Sequence, residues 1–198
     1  MEKDKKRKEE FKMITRIDGK KHARLDVVLY EEALLAHVQS DVDLDNGAIG
    51  VLGDYVEGER EVRKLDDATP TSTKEELVLV SAPELIYDED RKVFNQLKNF
   101  YNTAGDATRA YYLKNVKRFR ISEEGLDGLD AISDLDMTAH KYYIVPQAGN
   151  KMKIVEDVNT NAIGKLVRVD QEGIATYYDA TAQDFIGNVY KMYVVDVL

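Results

Sequence analysis

The sequence predicts a mainly β protein of the α+β class, built as a small β-barrel or β-sandwich body with one flanking helix and an extended N-terminal arm. Many short apolar segments are separated by glycine or polar turns at intervals of roughly 8–12 residues, which is typical of an all-β body. Tyrosine outnumbers phenylalanine 12 to 5 and tryptophan is absent, a balance that suits half-buried sheet faces. The charge distribution divides the chain into an arm at residues 1–21 and a body at residues 22–198.

The arm is basic and the body is acidic. Residues 1–21 contain nine basic and five acidic side chains, while the remaining 177 residues have a net charge of −13. Residues 1–12 favour helix or disorder, and Met13 is an alternative start. We expect the arm to be either a solvated tail or a docking segment. The residues predicted to contact a partner are Lys5, Lys6, Arg7, Lys8 and Phe11.

The first half of the body predicts strands and turns up to residue 81. A short strand at 13–17 ends at Asp18-Gly19, a strand follows at 22–30, and residues 31–38 predict a short helix or a second strand. In the segment 41–45, alternation predicts that Val42 and Leu44 point inward. The further predicted elements are a turn at 46–47, a strand at 48–52, a half-exposed strand or turn at 59–65, a loop at 66–73 and a buried central strand at 76–81.

The second half predicts one helix and then mostly strands. Apolar residues recur at helical spacing over 88–101, and Gly105 follows where a C-terminal glycine belongs. Residues 109–121 predict one or two strands, and the acidic residues of 123–136 predict a loop or short helix. The later strands are predicted at 141–146, 152–156, 163–169, 174–178 and 189–197, with turns at 148–150, 171–173 and 186–188.

No catalytic or cofactor motif accompanies this pattern, so we expect neither an enzyme nor a cofactor. The chain has no cysteine, and His22, His37 and His140 lack a partner at metal-ligand spacing. Asp41, Asp43 and Asp45 alternate as in a calcium loop, but the glycine and glutamate that such a loop requires are misplaced, which favours a strand. The sequence therefore predicts no metal site.

Binding to nucleic acid or membrane is not expected either. Tyr111 and Tyr112 stand beside Lys114, Lys117, Arg118 and Arg120, an interleaving that occurs in single-strand nucleic-acid platforms. An acidic body repels nucleic acid and anionic membranes, so a basic interface stripe is the favoured interpretation. No apolar run reaches membrane-spanning length, and the basic start lacks the apolar segment of a signal peptide, so we expect a soluble protein that is not secreted.

Residues 44–198 resemble the small auxiliary capsid proteins of tailed bacteriophages, the head-decoration or cement class. The segments that carry the resemblance are 77–87, 100–105, 109–113, 185–189 and 193–197. The resemblance implies a structural protein of the virion that binds the major capsid protein of an assembled shell and strengthens it. It also implies that assembly takes place in the host cytoplasm. The sequence leaves open whether the protein associates with itself. The first alternative is a head–tail connector or tail-associated protein, and the second is a small hydrolase or sugar-binding domain that uses the acidic loop at 123–136.

Overall fold

The computed structural model describes residues 20–31, 35–85, 99–132, 135–157, 160–179 and 184–198, and for 174–179 and 184–190 it describes the backbone alone. Within these ranges the structure is mainly β, so the predicted mainly β class is confirmed. The helix predicted at 88–101 lies outside the described residues except for 99–101, which form no α-helix. The strand predicted at 13–17 also lies outside them.

Twelve strands make up the described part of the chain. In chain order they are β1 (Leu25–Tyr30), β2 (Leu35–Gln39), β3 (Ile49–Tyr55), β4 (Val62–Asp67), β5 (Leu77–Val80), β6 (Ala107–Tyr112), β7 (Val116–Ser122), β8 (Leu126–Asp127), β9 (Tyr142–Gln147), β10 (Lys151–Glu156), β11 (Gly164–Asp179) and β12 (Asp184–Val197). Short 3₁₀ turns at Leu113–Asn115, Glu123–Gly125 and Leu129–Ala131 connect some of them.

Five of these strands close into a small barrel and seven form an open sheet. The barrel order is β2-β4-β3-β5-β6, and β6 pairs with β2 to close it. Only the β2–β4 pair in the barrel is parallel. The open sheet has the order β1-β7-β12-β11-β9-β10-β8, with β1 and β8 at its two edges.

Strand β5 contributes to two hydrophobic cores because side chains alternate between the two faces of a strand. Leu77 and Leu79 belong to the larger core, together with apolar residues of β7, β9, β10 and β12 in the open sheet. Val78 and Val80 belong to a smaller core, together with residues of the other four barrel strands. All four residues of β5 are buried, as the continuous apolar run predicts. The larger core therefore lies between the barrel and the open sheet, and the smaller core fills the barrel.

Backbone contacts and one glycine bring the barrel close to the open sheet. Asn150, in the turn between β9 and β10, donates a side-chain hydrogen bond to the carbonyl of Ile49, and the Ile49 N–H donates to the Asn150 carbonyl at 3.0 Å. Gly47 has a φ of +94°, and a Cβ there would lie only 2.4 Å from the Ile121 side chain. The turn predicted at 46–47 is thus confirmed, and its glycine is required both by the backbone and by the packing.

The C-terminal hairpin differs from the sequence prediction. The turns predicted at 171–173 and 186–188 are wrong, because both segments lie inside continuous strands β11 and β12. The pairing register shifts between Gly173 and Ala175, and Gly187 pairs with Thr176. Glycine inside a strand commonly marks a bulge, and the sequence pattern does not distinguish a bulge from a turn.

Most other predicted elements are confirmed with shifted boundaries. Residues 35–39 form a strand, not a helix, and residues 109–121 contribute to two strands, β6 and β7. The turn at 148–150 is confirmed. Residues 41–45 form bends with one isolated bridge at Leu44, so the predicted strand is wrong there, and Val42 is exposed while Leu44 is buried.

Among the described residues, none belongs to a helix of the length and apolar character needed to cross a bilayer.

We predict that Leu79→Ala lowers the free energy of unfolding by about 2–5 kcal/mol, because it opens a cavity in the core shared by barrel and sheet. The Leu79 side chain is completely buried, whereas Leu85 is 79% exposed. The matched control Leu85→Ala should change stability by no more than about 0.5 kcal/mol. Urea denaturation followed by circular dichroism measures both values, and equal small losses would contradict the shared-core description.

Candidate interaction surface

The hairpin formed by β11 and β12 extends beyond the sheet that holds its base. At the base, β11 pairs with β9 at Gly164 and Lys165, and β12 pairs with β7 from Met192 to Asp196. From the Gly173–Val189 pair outward, the two strands pair with each other and with no other described strand. We call residues 173–179 and 184–189 the distal ribbon. Its six residue pairs correspond to a length of about 20 Å.

The distal ribbon has the composition of a surface that is buried in a complex. Its sequence includes three aromatic and three branched aliphatic residues and two acids, with no basic residue: Ile174, Tyr177, Tyr178, Asp179, Asp184, Phe185, Ile186 and Val189. A two-stranded ribbon is only marginally stable by itself in water. Aromatic residues are enriched at the centres of protein interfaces. The ribbon is therefore the strongest candidate for a docking element in the described chain.

Ion pairs fix the point at which the ribbon leaves the sheet. Glu172, the residue before the ribbon, accepts a hydrogen bond from Arg24 at 3.3 Å and lies 3.6 Å from the guanidinium of Arg120. The Arg24 side chain is only 9% exposed and also contacts Glu84 at 3.2 Å. Arg120 pairs in turn with Asp26 across the β1–β7 pair. These contacts connect the three strands β1, β7 and β11 and hold the root of the ribbon.

A second cross-strand pair stabilises the base of β12. Arg118 donates two hydrogen bonds to Asp196, at 2.5 and 2.9 Å. This contact lowers the pKa of Asp196 because the bidentate hydrogen bonds favour its charged form. The hairpin thus has a base held by paired charges and an outer part whose backbone pairs with no other described strand.

An exposed apolar patch lies at the β1 edge of the same sheet. Val28, Leu29 and Tyr30 are each at least 44% exposed, and Leu35 at the start of β2 is 39% exposed. Tyr30 contacts the ring of Tyr111, which pairs with Leu35, so the patch continues onto the barrel. We call these four exposed residues the β1 edge patch. Apolar residues grouped at a sheet edge are typical of a contact surface.

A cleft of about 320 Å³ lies where the barrel meets the open sheet. Its lining brings together both acidic segments singled out in the sequence, namely Asp43 and Asp45 from one and Glu124 and Asp127 from the other. His22 stacks on Tyr101 with ring centroids 4.7 Å apart, and its Nδ1 contacts Asp45.

Several acidic side chains of these segments make structural contacts, whereas the buried Oε2 atom of Glu124 has no hydrogen-bond partner among the described residues. Asp43 accepts a hydrogen bond from the Ala104 N–H, and Asp127 faces Lys151 and Gln147. Asp136 accepts hydrogen bonds from the Thr138 and Ala139 backbone, which lower its pKa and favour the carboxylate. Such carboxylates hold turns together, and a depressed pKa is unsuited to a general acid.

His140, Glu156 and Asp157 meet at the open end of the β9–β10 hairpin. The Nδ1 atom of His140 lies 2.7 Å from Glu156 Oε1 and 2.9 Å from Asp157 Oδ2. The hydrogen bond with Asp157 raises the pKa of His140 and lowers that of Asp157. Sequence reasoning missed this group because its members are separated by 16 and 17 positions and meet only through strand pairing.

The basic and aromatic stretch at 109–120 is bound to its own neighbours. Arg109 and Lys114 lie over the rings of Tyr111 and Tyr112, at 5.4 and 5.8 Å from the ring centroids. Arg118 and Arg120 pair with carboxylates, as described above, and Lys117 pairs with Glu31 at 3.2 Å. These contacts favour the interpretation as an interface stripe over a nucleic-acid platform.

The five residues predicted in the arm, Lys5, Lys6, Arg7, Lys8 and Phe11, lie outside the described residues. Their role in partner binding stays a prediction. Comparisons with protein-family models, with curated proteins and with solved structures give no match. We therefore infer the function from the distal ribbon and the β1 edge patch.

We predict that Glu172→Gln lowers the free energy of unfolding by about 1–2 kcal/mol, because it removes an anionic partner of the buried Arg24. The control Asp170→Asn, on the same strand, removes the partner of the exposed Arg168 and should cost about 0.5 kcal/mol or less. Urea denaturation measures both losses. A larger loss for Asp170→Asn would show that Glu172 does not anchor the hairpin.

Proposed function

We propose that the protein is an accessory capsid protein of the decoration or cement class, which binds an assembled phage head and stabilises it. The observation that carries the proposal is the distal ribbon, an aromatic-rich two-stranded extension that pairs with no other described strand. A body with two hydrophobic cores presents this ribbon.

The dimensions of the ribbon suit a contact that crosses a neighbouring subunit. An aromatic side chain buries roughly 150–250 Å² when it is enclosed in a contact, and the ribbon sequence includes three aromatic residues. A standard interface buries about 800 Å² on each partner. The β1 edge patch adds a second apolar surface on the same sheet. Ribbon and patch are therefore the two surfaces that we propose contact the shell.

The charge distribution supports attachment to a protein shell more than attachment to the packaged genome. The body outside residues 1–21 has a net charge of −13. Such a body repels nucleic acid but can face a basic protein surface. Many identical sites on a shell would also offset weak binding by each copy.

The contacts of the acidic loop argue against the hydrolase alternative. A pair of catalytic carboxylates needs environments that separate their two pKa values. Asp127 instead faces a lysine and a glutamine, and Asp136 is held as a carboxylate by backbone N–H groups. These roles are structural.

We predict that shortening the ribbon abolishes binding to shells without unfolding the body. Gly173 and Val189 are paired, so residues 174–188 can be replaced by Asn-Gly to close a two-residue hairpin at that pair. Co-sedimentation with empty shells, assembled from the major capsid protein encoded in the same genome, should show saturable binding by the wild type. The shortened variant should lose at least about 90% of the bound protein, as expected when the central contact of an interface is removed.

The control for this experiment is Tyr55→Ser, which removes an exposed aromatic ring from the barrel and should leave occupancy unchanged. Circular dichroism and chemical denaturation establish that the shortened variant keeps its body. Equal shell binding by the shortened variant and the wild type would contradict the proposal. So would the absence of wild-type binding, or a genome without a major capsid gene.

We also predict that the basic arm contributes salt-dependent attachment. Substituting Lys5, Lys6, Arg7 and Lys8 by Ala should weaken shell binding at low salt and flatten its dependence on salt, because exposed charges are screened over about 10 Å at 0.1 M salt. The same co-sedimentation assay, run at about 50 mM and at about 300 mM NaCl, measures both effects. Charges are screened weakly at the lower concentration and strongly at the higher one. Unchanged occupancy at both concentrations would exclude a docking role for these residues.

A further inference from the structure

We propose that His140, Glu156 and Asp157 form a binding site for one divalent transition-metal ion, with Zn²⁺ as the probe. The donor atoms of these three side chains lie within 4.8 Å of one another, and no other group of three such donors is this compact among the described residues. The site is separate from the distal ribbon and is independent of the proposed shell binding.

Strand pairing assembles the site. Glu156 is the last residue of β10 and pairs with Tyr142 at the start of β9. The Asp157 N–H continues the ladder by donating to the Lys141 carbonyl at 2.7 Å. His140 directly precedes this paired region. Glu156 therefore lies on the last rung of an antiparallel hairpin, and Asp157 and His140 lie directly beyond that rung.

Distances within the group are close to those of a metal coordination sphere. Ligands about 2.1 Å from a metal, at angles between octahedral and tetrahedral, stand roughly 3.0–3.4 Å apart. The Nδ1 atom of His140 stands 2.7 and 2.9 Å from the two carboxylate oxygens. Lengthening these two contacts by a few tenths of an ångström would bring both of them into that range. A single N–H proton cannot point at both oxygens, whereas a metal ion can bind all three atoms.

The chemistry of the donor set selects the class of ion. Imidazole nitrogen favours zinc, copper, nickel and iron, while carboxylate oxygen alone would favour calcium or magnesium. One nitrogen with two oxygens thus fits a borderline ion such as Zn²⁺. The side chains are 41–55% exposed, which leaves room for water to complete the coordination sphere.

Outer contacts already orient the ligands. The second carboxylate oxygen of Asp157 accepts a hydrogen bond from the Lys141 N–H at 2.8 Å. The backbone N–H of His140 donates a hydrogen bond to the Asp136 carbonyl at 3.0 Å. The Asp136 side chain accepts a hydrogen bond from the Thr138 N–H, which holds the turn before His140. Supporting contacts of this kind typically raise metal affinity 10–100-fold.

Isothermal titration calorimetry tests the site, with ZnCl₂ added at pH 7.5 to the chelator-stripped full chain. We expect one ion per chain, with the affinity lowered at least about tenfold in His140→Ala and in Asp157→Asn. His37 is exposed on β2, so His37→Ala is the matched control and should keep the wild-type affinity. Zinc should also raise the melting temperature of the wild type and of His37→Ala, and not that of His140→Ala.

Two results would overturn the proposal. The first is the absence of zinc binding to the wild-type chain up to millimolar concentration. The second is equal affinity in wild type and His140→Ala, which identifies an adventitious ion only. Asp157→Asn preserves side-chain size, so it keeps the test valid even where His140→Ala disturbs the loop. Circular dichroism of each metal-free variant verifies that the fold is intact.

Discussion

Strand β5 packs into two hydrophobic cores at once, and the described fold depends on this double burial. Its leucines face the open sheet and its valines face the barrel interior. Together with Ile49 of β3, the leucines give the barrel an apolar surface in common with β7, β9 and β12. Without the valines, the barrel interior would lack its largest aliphatic contribution from a single strand. One four-residue segment thus joins two sheets that pair through separate ladders.

Rigid support at the base gives the long hairpin a defined direction. Met192 to Val195 in β12 are all buried, so the hairpin root is fixed by packing as well as by the charges of Arg24, Arg120 and Glu172. Beyond Gly173, only the ladder between β11 and β12 continues among the described strands. This contrast between a packed base and a projecting end is the physical ground for assigning the outer hairpin to a partner. A preformed ribbon also loses less conformational entropy on docking than a flexible loop.

The sequence pattern predicted those elements whose conformation depends mainly on residues that are neighbours in the chain. The continuous run at Leu77–Val80 could only be a strand buried on both faces, and Ala148-Gly149-Asn150 had the composition of a tight turn. Glycine led to errors where it marks a bulge or a plain strand position, as at Gly173 and Gly187. The sequence pattern therefore divided one long hairpin into shorter strands and concealed the ribbon.

Contacts between distant residues could not be predicted in the same way. His140 meets Asp157 because β9 and β10 pair in one particular register, and a shift by one residue would separate them. The cleft between the barrel and the open sheet likewise brings Asp45 and Glu124 together, because the barrel packs on the sheet there. Patterns of charge identified both acidic segments, but the fold determines which of them meet and which carboxylates are occupied by structural contacts.

The central functional claim is that the outer hairpin carries the docking contact. Cryo-electron microscopy of empty shells incubated with the protein tests it most directly, because the long hairpin is recognisable within the density of the bound body. The account predicts copies at symmetry-related positions, with the distal ribbon lying against the major capsid protein. Density in which the ribbon points away from the shell, or shells that carry no added density, would contradict it.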